Sequence, residues 1–338
     1  PHAAHARSAE RRSVSRKAPA RRAKKVRKKR GGHPPRDASS YVPAGALALC
    51  LLLLALQGSL FIGSVLYELA PWLGLAGFVA AGVQLGMRQW DRGAACGVLS
   101  SLLLIPAVSF LRGERPTPLH GPTLELRHVH VGLVPPTPAL MDALAEGAGP
   151  RVVSLTFDQD AANTRVPELA RGFRPMAVAG VGARRLWVRA LTAGNGPSSV
   201  RVGNCSLALA QVALPEIYRV HKRALRLSQI AAMPKRSTAQ PGVTLGRLGS
   251  APTAYDLRPL LASQELRDAR IGHGRLATFP GFLGPLGLSL DPVLVHGWVA
   301  VRELEALSAP AGSPARVVRA VLELTEPRCA DFGRRPAP

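Results

Sequence analysis

The run Pro-Arg-Val-Val-Ser-Leu-Thr-Phe at residues 150–157 decides how the C-terminal two-thirds of this chain folds. After Pro150, residues 151–155 form a short apolar run of strand length without alternation, the pattern of a strand covered on both faces. Upstream, Leu-Glu-Leu-Arg-His-Val-His-Val at residues 124–131 alternates and reads as a second strand. Downstream, residues 201–214 read as a hairpin turning at Gly203-Asn204, and 243–245, 293–295 and 317–324 as further strands. Residues 138–148 and 256–263 carry helical spacing. Strands mixed with fewer helices predict an α/β sandwich over residues 123–326, with a disordered tail at 327–338.

The texture ahead of this domain is different. No charge occurs between Asp37 and Glu68. Three uncharged apolar runs, at about 42–66, 69–87 and 93–111, predict three transmembrane helices within residues 41–112, since about 20 helical residues cross a bilayer core. Glu68 to Pro71 reads as the short turn between the first two, with Pro71 in the first turn of the second, and residues 113–122 as a linker. Residues 1–40 carry 14 Lys/Arg against two Asp/Glu, a net of +12 out of the chain's +23. So basic a segment with so few apolar residues predicts a disordered tail. Positive residues mark the cytoplasmic side. The tail, with Arg88 and Arg92 between spans two and three, therefore predicts a multi-pass inner-membrane protein with a cytoplasmic N-terminus. Three crossings then leave the sandwich periplasmic or extracellular. Arg112 and Arg115 oppose this, but the tail is far heavier.

The partner implied first is the lipid bilayer. The tail also suits contact with anionic lipid. The run 21–30 has no interleaved aromatic residues, which argues against nucleic acid. Of the four cysteines, Cys50 and Cys96 lie in apolar runs, and a Cys205–Cys329 disulfide is open to the other two outside the cytoplasm. No CxxC pair, HExxH, GxSxG or P-loop sequence occurs.

The order of short motifs in residues 123–324 resembles the endonuclease/exonuclease/phosphatase superfamily, and most of all its bacterial members with an N-terminal membrane anchor. Residues 126–131 are similar to the family's opening strand, and 150–157 to its "PDVVxLQE". Residues 209–215 are similar to the "xxxNVHL" strand, and 241–252 to the "GDFNxxP" strand and turn. Residues 266–269 resemble "GLRDA", 278–280 "TWP", 290–295 "IDHVLV", and 312–316 "GSDHRP". The resemblance implies a four-layer α/β sandwich and a Mg²⁺-dependent phosphoesterase ancestry.

It does not imply the family's activity, because the polar landmarks are replaced. The metal-binding Asn position holds His130 and the Glu position Phe157. The "VHL" histidine position holds Ala213, and the GDFN Asp and Asn positions hold Arg247 and Gly249. The final Asp and His positions hold Pro314 and Ala315, and Asp291 alone is kept. Phe157 cannot ligate a hard cation, and Arg247 puts a fixed positive charge where a carboxylate belongs. The sequence therefore predicts a catalytically inactive binding or scaffolding module at the cell envelope, with no cofactor. The alternative is a phosphoesterase with a rebuilt site, in which Asp158, His130 and Asp291 hold Mg²⁺, Mn²⁺ or another metal. A third reading gives the function to the basic tail. Arg184, Arg185 and Arg247 are candidates for a phosphate cleft only if they converge.

Overall fold

The computed structural model describes residues 41–55, 61–111, 121–158, 166, 169, 172–181, 183–196, 198–215, 220–231, 240–249, 257–274, 276–281, 283, 287–308, 315–326 and 329. The expected basic tail at 1–40 lies outside the described residues, as do Pro314 and most of the 113–122 linker.

Three apolar helices come first: α1 (Val42–Ala55), α2 (Phe61–Gly86) and α3 (Trp90–Leu111). They pack on one another through Leu47, Leu54, Ala70, Ala81, Cys96 and Leu103. Small residues set the approach of α2 to α3. A Cβ on Gly77 would lie 2.1 Å from Ser100 Oγ and 3.0 Å from Leu47 Cδ1, so a larger residue there would have to push both side chains aside. One helical stretch among the described residues, Leu66–Gly86, is long and apolar enough to cross a membrane. α1 is a shorter apolar helix of 14 residues.

The expected turn at Glu68 to Pro71 does not form. α2 runs unbroken through both residues, with Pro71 inside the helix. The first predicted span, 42–66, is instead divided between α1 and α2, and residues 56–60 fall outside the described set. Glu68 is not a solvated boundary between two helices. Glu68 is buried, and the Arg270 guanidinium donates to its Oε1 at 2.8 Å. A paired carboxylate does not have to end a helix.

The rest of the described chain builds two mixed β-sheets packed face to face. The strands are β1 (Thr123–Gly132), β2 (Arg151–Phe157), β3 (Phe173–Pro175), β4 (Ala179–Val181), β5 (Ala183–Arg189), β6 (Thr192–Ala193), β7 (Ser199–Val202), β8 (Cys205–Ala213), β9 (Gly242–Arg247), β10 (Arg267–Asp268), β11 (Val293–His296), β12 (Val299–Leu307) and β13 (Val317–Leu324). The first sheet runs β12-β13-β1-β2-β5-β3; the second runs β10-β11-β9-β8-β7-β6, with β4 also on β8. The parallel pairs are β1·β2 in the first sheet and β8·β9 and β4·β8 in the second. Period-2 alternation turns Leu124, Leu126, Val152, Leu186 and Val318 of one sheet toward Leu207, Leu209, Val243, Leu245 and Val293 of the other, which form the central core.

Helices cover the outer faces. α4 (Pro138–Ala145) starts at Thr137, whose hydroxyl accepts from the Leu140 N–H, with proline at its first turn. Its Leu140, Met141 and Leu144 pack on Val129, Val131, Val153 and Leu155. On the second sheet, Ile230 of α5 (Val220–Ala231) and Leu260 of α6 (Arg258–Ser263) pack with Val212, Leu248 and Leu294. A disulfide joins Cys205 at the start of β8 to Cys329, which is fully buried although it falls in the tail expected to be disordered.

Candidate functional site

The inward-facing residues change character at one end of both sheets. Along β1, Leu124 and Leu126 give way to His128 and His130; along β2, Val152 gives way to Ser154 and Thr156. Along β8, Leu207 and Leu209 lead to Gln211 and Ala213, and along β9, Val243 and Leu245 lead to Arg247. Asp291 lies just before β11, whose Val293 and Val295 face the core. The strands thus end in a buried polar floor, at the end of the sandwich where the family resemblance places a site. Sequence reasoning singled out His130 and Arg247 but missed Ser154, Thr156 and Gln211. The signal available was the same period-2 register carried two residues further.

One hydrogen-bonded chain crosses between the sheets. Gln211 Nε2 donates to Ser154 Oγ at 2.6 Å and to the Arg185 carbonyl at 2.9 Å. Ser154 Oγ also meets His128 Nδ1 at 2.8 Å. His128 is completely buried, and that burial pushes its imidazole down to about 4, against the opposing pull of Asp291.

His130 is nearly as buried, with Nδ1 3.2 Å from Thr156 Oγ1 and Nε2 3.2 Å from Asp158 Oδ1. Both ring nitrogens are engaged, as in a satisfied core histidine. Asp158 is turned to His130 at the end of β2, and its own N–H donates to the Gly132 carbonyl.

Asp291 and Arg247 form the other pair. Asp291 is 0% exposed, and neither carboxylate oxygen has a hydrogen-bond partner among the described residues. Arg247 Nη1 lies 3.9 Å from its Oδ1, while the guanidinium sits 4.5 Å over the Phe279 ring. Gly246, just before Arg247, has φ +146° and an added Cβ would lie 1.7 Å from the Val212 carbonyl oxygen, so β9 reaches this point only with glycine.

The other expected positions do not all face this floor. Phe157 and Ala315 belong to the outer cluster beneath α4, on the opposite face of the first sheet from His130. Ala213 is buried at the end of β8, and Gly249 follows β9 with φ +66°. The three candidate arginines do not converge. Arg184 Nη2 donates to the Val178 carbonyl, and Arg185 is exposed on the opposite face of β5. Arg247 is committed to Asp291 and Phe279.

A hard divalent cation needs about six oxygen ligands converging on one point. His130, Asp158 and Asp291 do not make such a cluster. Among the described residues, the metal-capable group whose ligand atoms all lie within 4.8 Å of one another is Cys205, Glu326 and Cys329, and its cysteines are bonded to each other. At the floor itself, Arg247 adds a like charge that any cation beside Asp291 would have to oppose. At about 4 Å and an effective dielectric near 20 that repulsion is roughly 4 kcal/mol per unit of charge product. The described residues of this floor do not fit Mg²⁺ or Mn²⁺.

The described residues therefore define a two-sheet α/β sandwich behind a bundle of apolar helices, with a charged but metal-poor floor. Solved structures similar to this one include endonuclease/exonuclease/phosphatase family proteins. One such protein from Bacteroides thetaiotaomicron is 11% identical with a TM-score of 0.42, over 60% of this chain and 98% of its own. A mannosyl-6-phosphatase from the same organism is 10% identical with a TM-score of 0.41, over 59% of this chain and 99% of its own. The beta toxin of Staphylococcus aureus is 12% identical with a TM-score of 0.39, over 58% and 99%. At these values none of their chemistry carries over to this chain. No protein-family model and no curated protein sequence matches it.

Proposed function

We infer that this protein is a membrane-anchored binding or scaffolding module whose four-layer sandwich does not hydrolyse phosphoesters. The observation that carries this reading is the floor: Arg247 and Asp291 face each other there, and both ring nitrogens of His130 are engaged. Among the described residues, His130, Asp158 and Asp291 do not converge on one point to hold a metal in the way the resemblance would require. The three apolar helices serve as the anchor, with the basic tail in the cytoplasm against anionic lipid and the sandwich outside. The Cys205–Cys329 disulfide supports the outer location, because such bonds persist in oxidising compartments.

The test is hydrolysis by the full chain in detergent, using phosphomonoesters, phosphodiesters and DNA with Mg²⁺, Mn²⁺ or EDTA. The expected result is no metal-dependent turnover from protein shown to be folded. Turnover that disappears in Asp291→Ala or Asp158→Ala would return the protein to the phosphoesterases. The His130–Asp158 pair is what favours that second reading. It is a carboxylate-oriented imidazole at the end of β2, with the Asp158 side chain 32% exposed.

A further inference from the structure

We propose that the Arg247 guanidinium is a built-in cation: it supplies to Asp291 the positive charge that a bound metal ion would otherwise bring, so the sandwich is complete without metal.

The backbone fixes this arrangement. β9 and β11 pair antiparallel with Val293 opposite Leu245 and Leu294 opposite Thr244. The Leu248 N–H donates to the Leu290 carbonyl at 2.9 Å, so the register holds beyond the strand ends. Continued by two residues, it sets Asp291 directly across from Arg247. Their meeting is a cross-strand pairing, not the chance reach of a long side chain.

The electrostatics then leave one solution. Asp291 is fully buried with two oxygens that accept no hydrogen bond among the described residues. Burying a carboxylate so placed is costly unless a positive charge lies beside it. His128, the nearby imidazole, is held neutral by its own burial and does not supply it. Arg247 does. It is 5% exposed, and its guanidinium sits over the Phe279 ring, a cation–π contact that favours this position. A guanidinium never deprotonates and offers no lone pair, so it cannot ligate a metal ion itself, and its charge opposes one beside Asp291. The charge is fixed, permanent and independent of metal supply.

The test compares thermal unfolding of the full chain in detergent, with EDTA and in a titration of Mn²⁺ or Mg²⁺, for wild type, Arg247→Lys, Arg247→Met and Arg247→Met/Asp291→Asn. Wild type and Arg247→Lys should show no metal response. Arg247→Met should unfold at lower temperature in EDTA. It should then be raised by about 3–6 °C at a metal concentration roughly tenfold above the half-effect point, because the unanswered charge of buried Asp291 now recruits the ion together with waters that complete its coordination. The neutral double variant should recover stability without metal and lose the response. If Arg247→Met does not fold, recovery in the double variant supports the same charge balance, and a double variant that also fails to fold overturns it. The proposal is also overturned if wild type responds to metal as strongly as Arg247→Met, or if neither responds. Unfolding is read without substrate, so this outcome is separate from the absence of turnover.

Discussion

His128 carries a consequence of its own. Both sheets and the neighbouring polar floor enclose it, and burial holds its imidazole at about 4, below the usual value of 6.5. The groups facing it are Asp291, which raises it, and His130 and Arg247, which lower it. A depressed histidine favours the neutral folded form, so its contribution is complete above pH 6.5 and is lost as pH falls toward 4. Between pH 7 and pH 4.5 the size is on the order of 2 kcal/mol. Chemical unfolding between pH 7 and pH 4.5 should show stability falling by about that much, and His128→Asn should flatten the slope. An unchanged slope in that variant would assign the acid sensitivity elsewhere. Glu125, which is lowered with Arg127 and Arg151 bonded to it, adds its own loss, but only near and below pH 4.5.

At the scale of elements, α2 shows what a buried charge does to both reading and stability. Glu68 accepts from Arg270 Nη1 at 2.8 Å, and Asp268 of β10 meets the same guanidinium at 2.8 Å. Arg270 is 0% exposed, and the two carboxylates raise its already high basicity. This triad ties a helix of the bundle to an edge of the second sheet. Glu68→Ala should cost about 3–5 kcal/mol in thermal unfolding, because it leaves half of a buried ion pair unanswered. Glu68→Leu/Arg270→Met should recover much of that loss. A Glu68→Ala protein as stable as wild type would mean that the triad contributes nothing.

The same elements show what the sequence made legible. β1, β2, β8, β9, β11 and β13 lie where local apolar runs predict them, because each contributes Leu or Val to the central core. β12 was not legible. Its Arg302, Glu303 and Glu305 look like a solvated stretch until Glu323 and Arg319 of β13 pair with them across the ladder. The short strands β3, β4 and β6 have two or three residues each, too few to show a period. At the site, the replaced residues were visible one by one. Their partition was not: Phe157 and Ala315 turn away to α4 while His130 and Arg247 turn inward, and only strand register decides that.

For the whole molecule, the disulfide bears on both stability and orientation. Cys205 and Cys329 are 124 residues apart in sequence, so the bond closes one covalent loop that holds β8 to β13, while β1 to β7 lie outside it. In the chain-entropy account a loop of that length is worth about 5 kcal/mol, and measured losses on removing native disulfides run about 2–5 kcal/mol. Cys205→Ser/Cys329→Ser should therefore lower the unfolding temperature by roughly 5–15 °C. The bond also has to form where oxidants reach it. The Glu68–Arg270 contact sets the beginning of α2 against the sandwich. If the bundle crosses the bilayer three times, that end of α2 and the domain after α3 lie on the same face in either orientation, so the disulfide alone favours a sandwich outside. Alkylating free thiols in intact cells before lysis, then reducing and labelling the remainder, reads this directly. Cys205 and Cys329 should be protected until reduction, while an engineered cysteine at exposed Ser263 should react with an impermeant reagent. If Cys205 and Cys329 are free thiols in cells and the Ser263→Cys site is shielded, the sandwich is cytoplasmic and the positive-inside argument from the tail fails.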